Sequence, residues 1–317
     1  MFSKKIVFIV LGVCSFYVHA FSQNFVRSTD WKKYRKEVII QVGVSEFLGD
    51  LGGRNRAGTD YSPVDMELVL TRPAISMAYR YKIFKGLNVH TNFNYMLVAG
   101  DDKLTKDIYR NNRNLNFKSN IFEFGTRLEL AYLSNKVGHR YGIKKTLSRR
   151  MKSRSWEVMG FVGIGAFYFN PKGRDPLTGQ WVKLKPLHTE GEGLPGGPKN
   201  YSRVAICVPV GLVYRVILSK KWSVGAELNY RFTFTDYIDD VHGTYYDKNA
   251  LLAAYGPQAV RMADPSKGDI PGATAPNADG TGAQRGEHHH DNYMSFQITV
   301  GRFITPKRGR ARLRSKF

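Results

Sequence analysis

The chain has 317 residues and a formal net charge of +22, with 19 phenylalanines, 18 tyrosines and 31 glycines. That length allows one large domain or two ordinary ones, and two cysteines, Cys14 and Cys207, exclude a disulfide framework. So strong a positive charge raises nucleic acid as a partner, until the positions of the charges are read along the chain.

The first residues indicate export. Lys4 and Lys5 precede an apolar run, Ile6 to Val18, and Val18-His19-Ala20 supplies small residues at cleavage spacing. This reads as a signal peptide over 1–20, with cleavage as late as 23, and the run is too short for a comfortable bilayer span. Val13 before Cys14 argues against lipidation, and no later stretch has the apolar length of a membrane helix. An exported chain with no recognisable nucleic-acid-binding fold argues against nucleic acid as a partner.

A basic segment, 21–37, leads to the first strand, in which Val38, Ile40, Val42 and Val44 alternate with Ile39, Gln41, Gly43 and Ser45. A loop from Leu48 to Thr71 follows. The second strand sets Ile75, Met77, Tyr79 and Tyr81 against Ala74, Ser76, Ala78, Arg80 and Lys82, and turns tightly at Lys85-Gly86. The clearest alternation is Leu87 to Val98. There Leu87, Val89, Thr91, Phe93, Tyr95 and Leu97 share one face, and Asn88, His90, Asn92 and Asn94 share the other. Period two this strict marks a strand whose faces meet different surroundings.

After a polar loop, Ala99 to Lys118, the fourth strand turns Phe122, Phe124, Leu128, Leu130 and Tyr132 one way and Glu123, Arg127 and Glu129 the other. A basic connection, Ser134 to Ser155, precedes a glycine-rich fifth strand, Trp156 to Phe169, whose orientation the pattern leaves open. Beyond the loop Asn170 to Tyr201, the sixth strand sets Ile206, Val208, Val210, Leu212, Tyr214 and Val216 against Ala205, Cys207, Gly211 and Arg215. Pro209 within it lacks an N–H, so a bulge or a non-bonded position is expected there. A turn at Lys220-Lys221 leads to strand seven, with Trp222, Val224, Leu228, Tyr230, Phe232 and Phe234 opposite Glu227, Asn229, Arg231 and Thr233. The longest loop, Asp236 to Asp291, is low in complexity in its second half. The last strand sets Met294, Phe296, Ile298 and Val300 against Ser295, Gln297 and Thr299.

Eight strands, most long enough to cross a bilayer at a tilt, predict an all-β fold: an eight-stranded antiparallel outer-membrane β-barrel over 38–304, followed by a basic tail, 305–317. A sandwich would put its polar faces outside. Here the apolar faces end in Tyr79, Tyr81, Tyr132, Trp156, Tyr214, Trp222 and Phe234, the ring types that favour the headgroup level. A barrel of eight strands encloses only side chains, so Arg80, Glu123, Arg127, Glu129, Glu227 and Arg231 should pair inside it as a charge-neutralising network. With both termini periplasmic, the long connections fall outside the cell and the short ones in the periplasm, the 4–5 connection being the exception.

That exception carries the charge. The 4–5 connection holds eight cations and no acid, among them Lys144, Lys145, Arg149, Arg150, Lys152 and Arg154. The tail holds six, among them Arg308, Arg310, Arg312 and Arg314, again with no acid. A field this one-sided attracts an acidic partner or anionic lipid to the periplasmic face.

Three loop stretches carry a family resemblance. They are Leu48-Gly49-Asp50 after strand one, Gly100-Asp101-Asp102-Lys103 with Arg113-Asn114-Leu115-Asn116-Phe117 before strand four, and Thr235-Asp236-Tyr237-Ile238-Asp239-Asp240-Val241 with Gly243-Thr244-Tyr245-Tyr246. Together they resemble the PorG family, outer-membrane barrels of the type IX secretion system of Bacteroidota. The resemblance implies a structural, non-enzymatic role: tethering a periplasmic ring (PorK and PorN) to the outer membrane, with the lipid bilayer as the other partner.

Chemistry is otherwise sparse. Asp236, Asp239 and Asp240 could hold Ca²⁺ through carboxylate oxygens, but turn capping and pairing with loop arginines such as Arg113 is the preferred reading. His288-His289-His290-Asp291 needs no defined metal site. No Ser/His/acid set stands at a strand end, as a lipid-modifying hydrolase would need. No cofactor, metal or small-molecule substrate is assigned. The alternative function is a small adhesin acting through its extracellular loops.

Overall fold

The computed structural model describes residues 35–51, 69–105, 107–134, 155–219, 221–275 and 282–304. The expected signal peptide, most of the basic N-terminal segment, the 4–5 connection and the tail lie outside them.

Eight long strands form the barrel: β1 (Lys36–Leu48), β2 (Arg72–Phe84), β3 (Leu87–Asp101), β4 (Asn116–Ser134), β5 (Ser155–Tyr168), β8 (Val204–Ile217), β9 (Trp222–Thr233) and β10 (Asn292–Ile304). Two short strands, β6 (Pro171–Arg174) and β7 (Trp181–Lys183), belong to the β5–β8 loop. The order β3-β2-β1-β10-β9-β8-β5-β4 is closed by pairing of β3 with β4, and every barrel pairing is antiparallel. Closure gives each strand two neighbours and leaves no edge, which a sheet in lipid requires.

The pleat explains the two surfaces. Ile40, Val42, Ile75, Met77, Phe93, Phe124, Leu128, Val162, Ile164, Ile206, Leu212, Phe296 and Ile298 point outward and are exposed. Exposed aromatic rings mark both rims of this band, with Phe84, Tyr132 and Trp222 at one end and Phe122, Tyr168, Phe232 and Phe234 at the other. A continuous apolar belt of this extent belongs against lipid rather than water. Among the described residues no helix is long and apolar enough to cross a membrane.

The glycine-rich β5 takes one orientation: Met159, Phe161 and Phe167 are buried inside, while Val162, Ile164 and Tyr168 face out. Gly163 lies where a Cβ would come within 2.5 Å of the Arg127 Cβ and the Thr126 carbonyl oxygen, so the glycine lets β5 approach β4 closely there. Pro209 points inward and pairs with Arg231 of β9, while its pairing toward β5 lapses between Val210↔Val162 and Cys207↔Gly165 without a register shift. It sits at a non-bonded position, not a bulge.

The expected strand limits differ in one consequential place. β1 starts at Lys36, so Glu37, assigned by sequence to the basic N-terminal segment, is a buried barrel residue. Met294, which alternation places with Phe296 on the outer face, is buried at the loop end of β10.

The two ends of the barrel differ. The β2–β3 and β8–β9 turns, the start of β1, the end of β10 and the junctions to 135–154 share one end, called here the turn end. The four long loops share the other. They contribute a 3-10 turn (Asp102–Leu104), three short helices, α1 (Ile108–Arg113), α2 (Lys248–Tyr255) and α3 (Pro257–Ala263), and the β6–β7 hairpin, which extends β4 beyond the barrel.

The lumen is filled. In the half nearer the turn end Arg80 binds Glu37 (2.8 Å) and Glu129 (2.6 Å), and toward the middle Arg127 binds Glu129 (3.0 Å) and Glu227 (2.6 Å). Arg215 reaches Glu37 (2.6 Å) and Glu157 (2.5 Å), and Arg231 reaches Glu123 (2.6 Å). The pairing expected of Arg80, Glu123, Arg127, Glu129, Glu227 and Arg231 is present, with Glu37, Glu157, Arg215 and His90 as further members. Buried charges persist only when paired and hydrogen-bonded in this way. Toward the loop end an apolar layer follows, including Phe47, Met96, Phe117, Ile121, Phe167 and Tyr293. Charge network and apolar cork together fill the lumen among the described residues.

Candidate functional site

The four long loops pack into one cap over the cork, and the three resembling stretches converge there. Gly49 passes under Asp291 because a Cβ would stand 2.3 Å from the Asp291 Oδ1 and the Phe47 ring. Asp50 next to it accepts the Glu287 N–H (2.7 Å) through its carboxylate, and its carbonyl accepts from Arg110 (2.8 Å) and Arg113 (2.9 Å).

In the β3–β4 loop Asp101 caps the 3-10 turn by accepting the Lys103 N–H, and Asp107 caps α1. Arg113, the last residue of α1, donates twice to Asp102, Nε to Oδ2 at 2.7 Å and Nη2 to Oδ1 at 3.0 Å. This corrects the expectation that Arg113 serves the Asp236–Asp240 cluster: its acid is Asp102, eleven residues away in the same loop. Its Nη1 donates to the Arg285 carbonyl (2.6 Å). Asn114 ends α1 in the left-handed region (φ 59°), and its side-chain amide donates to the Pro265 carbonyl (2.9 Å).

The unforeseen centre of the cap is Arg285, buried to 1% exposure. It donates to Glu190 (2.8 Å), to the Asp240 carbonyl (2.7 Å) and to the Ala263 carbonyl (3.1 Å), joining the β5–β8 loop to both halves of the β9–β10 loop. The sequence signal was its isolation: it is the only arginine between Pro265 and Gly286.

The third stretch forms a tight fold after β9. Asp240 adopts φ 69° and accepts from Thr189 (2.6 Å) and Tyr201 (2.5 Å), and Tyr201 stacks on Tyr237 with centroids 4.5 Å apart. Asp239 accepts the Val241 N–H, and Asp291 accepts the Ile238 N–H. Of the three acids expected to cap turns, Asp239 does so, while Asp240 takes the Thr189 and Tyr201 hydroxyls and Asp236 meets His242; among the described residues no arginine side chain bonds their carboxylates. Among the described residues Asp236 Oδ1, Asp239 Oδ2 and Asp291 Oδ1 are buried without a hydrogen-bond partner. Burial, with the neighbouring charges of Asp50 and Glu190, pushes the Asp236 carboxyl up to about 9. Burial and the adjoining acids hold Asp239 and Asp291 well above the usual carboxylate range. Asp240 rises to about 7 through burial and Glu192, against the pull of Arg285. At neutral pH such carboxyls retain protons or attract a cation.

Beside this cluster Asp236 Oδ2 lies 2.5 Å from His242 Nδ1, and the His242 ring meets the His288 ring edge-on at 4.7 Å. A cleft of about 220 Å³ opens between them, lined also by Phe234, Thr235, Tyr237 and His290. The basic residues singled out in the sequence, Lys144, Lys145, Arg149, Arg150, Lys152, Arg154, Arg308, Arg310, Arg312 and Arg314, lie outside the described residues.

No protein-family model matches this chain, and no curated protein sequence does. Solved structures similar to it include the attachment invasion locus protein Ail of Yersinia pestis, bound to the heparin analogue sucrose octasulfate. It shows 8% identity and a TM-score of 0.34, over 85% of this chain and 99% of that one. Neisserial surface protein A shows 7% identity and a TM-score of 0.33, over 85% and 97%. A major outer membrane protein from Thermus thermophilus shows 7% and 0.34, over 84% and 99%. At these TM-scores the fold rests on the strand pairing and the inside-out distribution of side chains, which make this chain a closed eight-stranded barrel of the outer-membrane type.

Proposed function

We propose that this barrel is a structural component of a type IX secretion system, its turn end in the periplasm, holding a periplasmic ring of the PorK/PorN kind against the outer membrane by charge. One observation carries the reading: the segments 135–154 and 305–317, with eight and six cations and no acid, join the barrel on the same rim, at Ser134, Ser155 and Ile304. Two segments this rich in cations, attached to one rim, favour an acidic protein surface within a Debye length of about 8 Å at physiological salt. The filled lumen argues against a channel role, and the interior arginines are each held by a glutamate. The three loop stretches add the family resemblance.

The test is a pull-down of the detergent-solubilised barrel from native outer membrane at low and high salt. Recovery of a periplasmic ring that is lost as salt rises supports the tether, as does weakened recovery after charge reversal at Arg149, Arg150, Arg310 and Arg312. Unchanged recovery and secretion in that variant overturn it. A surface-binding role has its own support in the folded cap. Because Pro265 is bonded to Asn114 and Arg285 anchors the cap, deleting 265–286 would unfold the cap as well as remove a ligand surface. Exposed Ile108, Tyr109 and Leu177 are better probes: an adhesin loses binding when they become serine, while a tether keeps secreting.

A further inference from the structure

The two ends of the β9–β10 loop are brought together by backbone pairing. Arg285 and Gly286 N–H groups both donate to the Gly243 carbonyl (2.7 and 2.8 Å), and Thr244 bridges to Gln284. His242 precedes Gly243 on one segment, and His288 lies two residues beyond Gly286 on the other. His288 packs so closely on the opposite backbone that a Cβ on Gly243 would stand 3.3 Å from its Cε1. The tight fold of Tyr237 to Asp240 returns the chain, so that His242 faces Asp236 at the end of β9.

One donor atom from each of Asp236, His242 and His288 lies within 4.8 Å of the other two. A hydrogen bond between Asp236 and His242 accounts for only part of this. It leaves unexplained the edge-on approach of His288, the open cleft beside all three, and Asp236 Oδ1, buried without a partner in a residue only 5% exposed. Two imidazoles and a carboxylate converging beside an open cleft form a donor set for a divalent first-row transition ion rather than Ca²⁺, which prefers oxygen ligands throughout. We propose that Asp236, His242 and His288 bind a divalent transition-metal ion, Zn²⁺ being the representative case, which clasps the two ends of the cap's longest loop. Ligand atoms around a tetrahedral Zn²⁺ stand roughly 3.4 Å apart for bonds near 2.1 Å. Small side-chain rotations therefore bring the three into register: the Asp236–His242 contact opens and His288 swings inward. The cleft leaves the remaining position to water or to His290, which lines it.

The test uses the full chain without a polyhistidine tag, folded in detergent and stripped with chelator, titrated with ZnCl₂ by calorimetry. Saturable binding near one equivalent is expected, undiminished by millimolar Ca²⁺. Asp236→Asn, His242→Gln and His288→Gln should each lower affinity by about tenfold or more, while His289→Gln leaves it unchanged. Heat-modifiable gel migration checks that every variant retains the folded barrel, and Zn²⁺ should slow proteolysis of the cap only where it binds. Absence of saturable binding overturns the proposal. So does a His289→Gln loss as large as that of His288→Gln, which marks loose capture by the histidine run, or displacement of Zn²⁺ by Ca²⁺, which marks the carboxylates alone. The periplasmic tether and this site lie at opposite ends of the barrel, so either can fail without the other.

Discussion

Arg127 on β4 and Glu227 on β9, one hundred residues apart, form a two-pronged pair across the lumen, Nη1 to Oε1 and Nη2 to Oε2 both at 2.6 Å. The same guanidinium also reaches Glu129 (3.0 Å) and lies over the Phe161 ring at 3.8 Å. No longer-range contact states more plainly that the two halves of the chain share one interior. Truncating one partner of such a buried pair costs about 3–5 kcal/mol, because the other charge is left unmatched. Glu227→Gln and Arg127→Leu should each lower the urea midpoint of the barrel in lipid vesicles, and the double variant should lose less than the sum. Additive losses would show that the pair is not coupled.

The outer belt makes a second prediction. Ile298 stands mid-strand on β10, 52% exposed, beside inward Gln297. If lipid bathes this face, Ile298→Arg should destabilise the folded barrel by about 2–4 kcal/mol. In a water-exposed sheet the same change would be near neutral. Vesicle unfolding titrations distinguish the two.

Arg285 should matter to the cap and not to the barrel. Arg285→Ala removes donors to Glu190 and to the carbonyls of Asp240 and Ala263, the charged bond alone being worth about 1.5–3 kcal/mol. Hydrogen exchange should accelerate at residues 189–192 and 240–243 while the amides of β1 and β10 keep their protection. Uniform acceleration would mean that cap and barrel open as one unit.

Acid should release the β6–β7 hairpin from α3. The Arg261 hydrogen bond to Asp175, helped by bonds from the Leu177 N–H and Gln258, holds the Asp175 carboxyl down at about 2 from an ordinary 3.8. A carboxyl depressed on folding stabilises at pH values above its unfolded value, and that contribution disappears as pH falls through the folded one. Protease protection of the hairpin should therefore be constant above about pH 4 and decline toward pH 2. Asp175→Asn should flatten that decline.

What could be read from the sequence was what repeats locally. Alternation at Val38 to Ser45, Ala74 to Lys82 and Leu87 to Val98 oriented those strands correctly, because every second residue of a strand meets the same medium. It also identified Arg80, Glu123, Arg127, Glu129, Glu227 and Arg231 as lumenal. β5 carried apolar residues on both faces, so its orientation needed the buried neighbours that Met159 and Phe167 find. Glu37 hid beside a run of cations, and only the register Glu37↔Arg80 reveals it as interior. In the cap the stretches were visible but their partners were not. Whether Arg113 takes Asp102 or Asp236, and that Arg285 takes Glu190, depends on how four loops stack, and no period encodes that.

Glu37 gives the ring a keystone. It sits on the first strand, pairs with Arg80 on β2 and Arg215 on β8, and accepts a hydrogen bond from Ser223 on β9. Until β1 meets β10, Glu37 has Arg80 on the neighbouring strand, but Arg215 and Ser223 on the far side of the seam lack it. Zipping the first strand to the last therefore completes the hydrogen-bonded circle and delivers Glu37 to Arg215 and Ser223 in a single event, so a misregistered closure is penalised electrostatically as well as sterically.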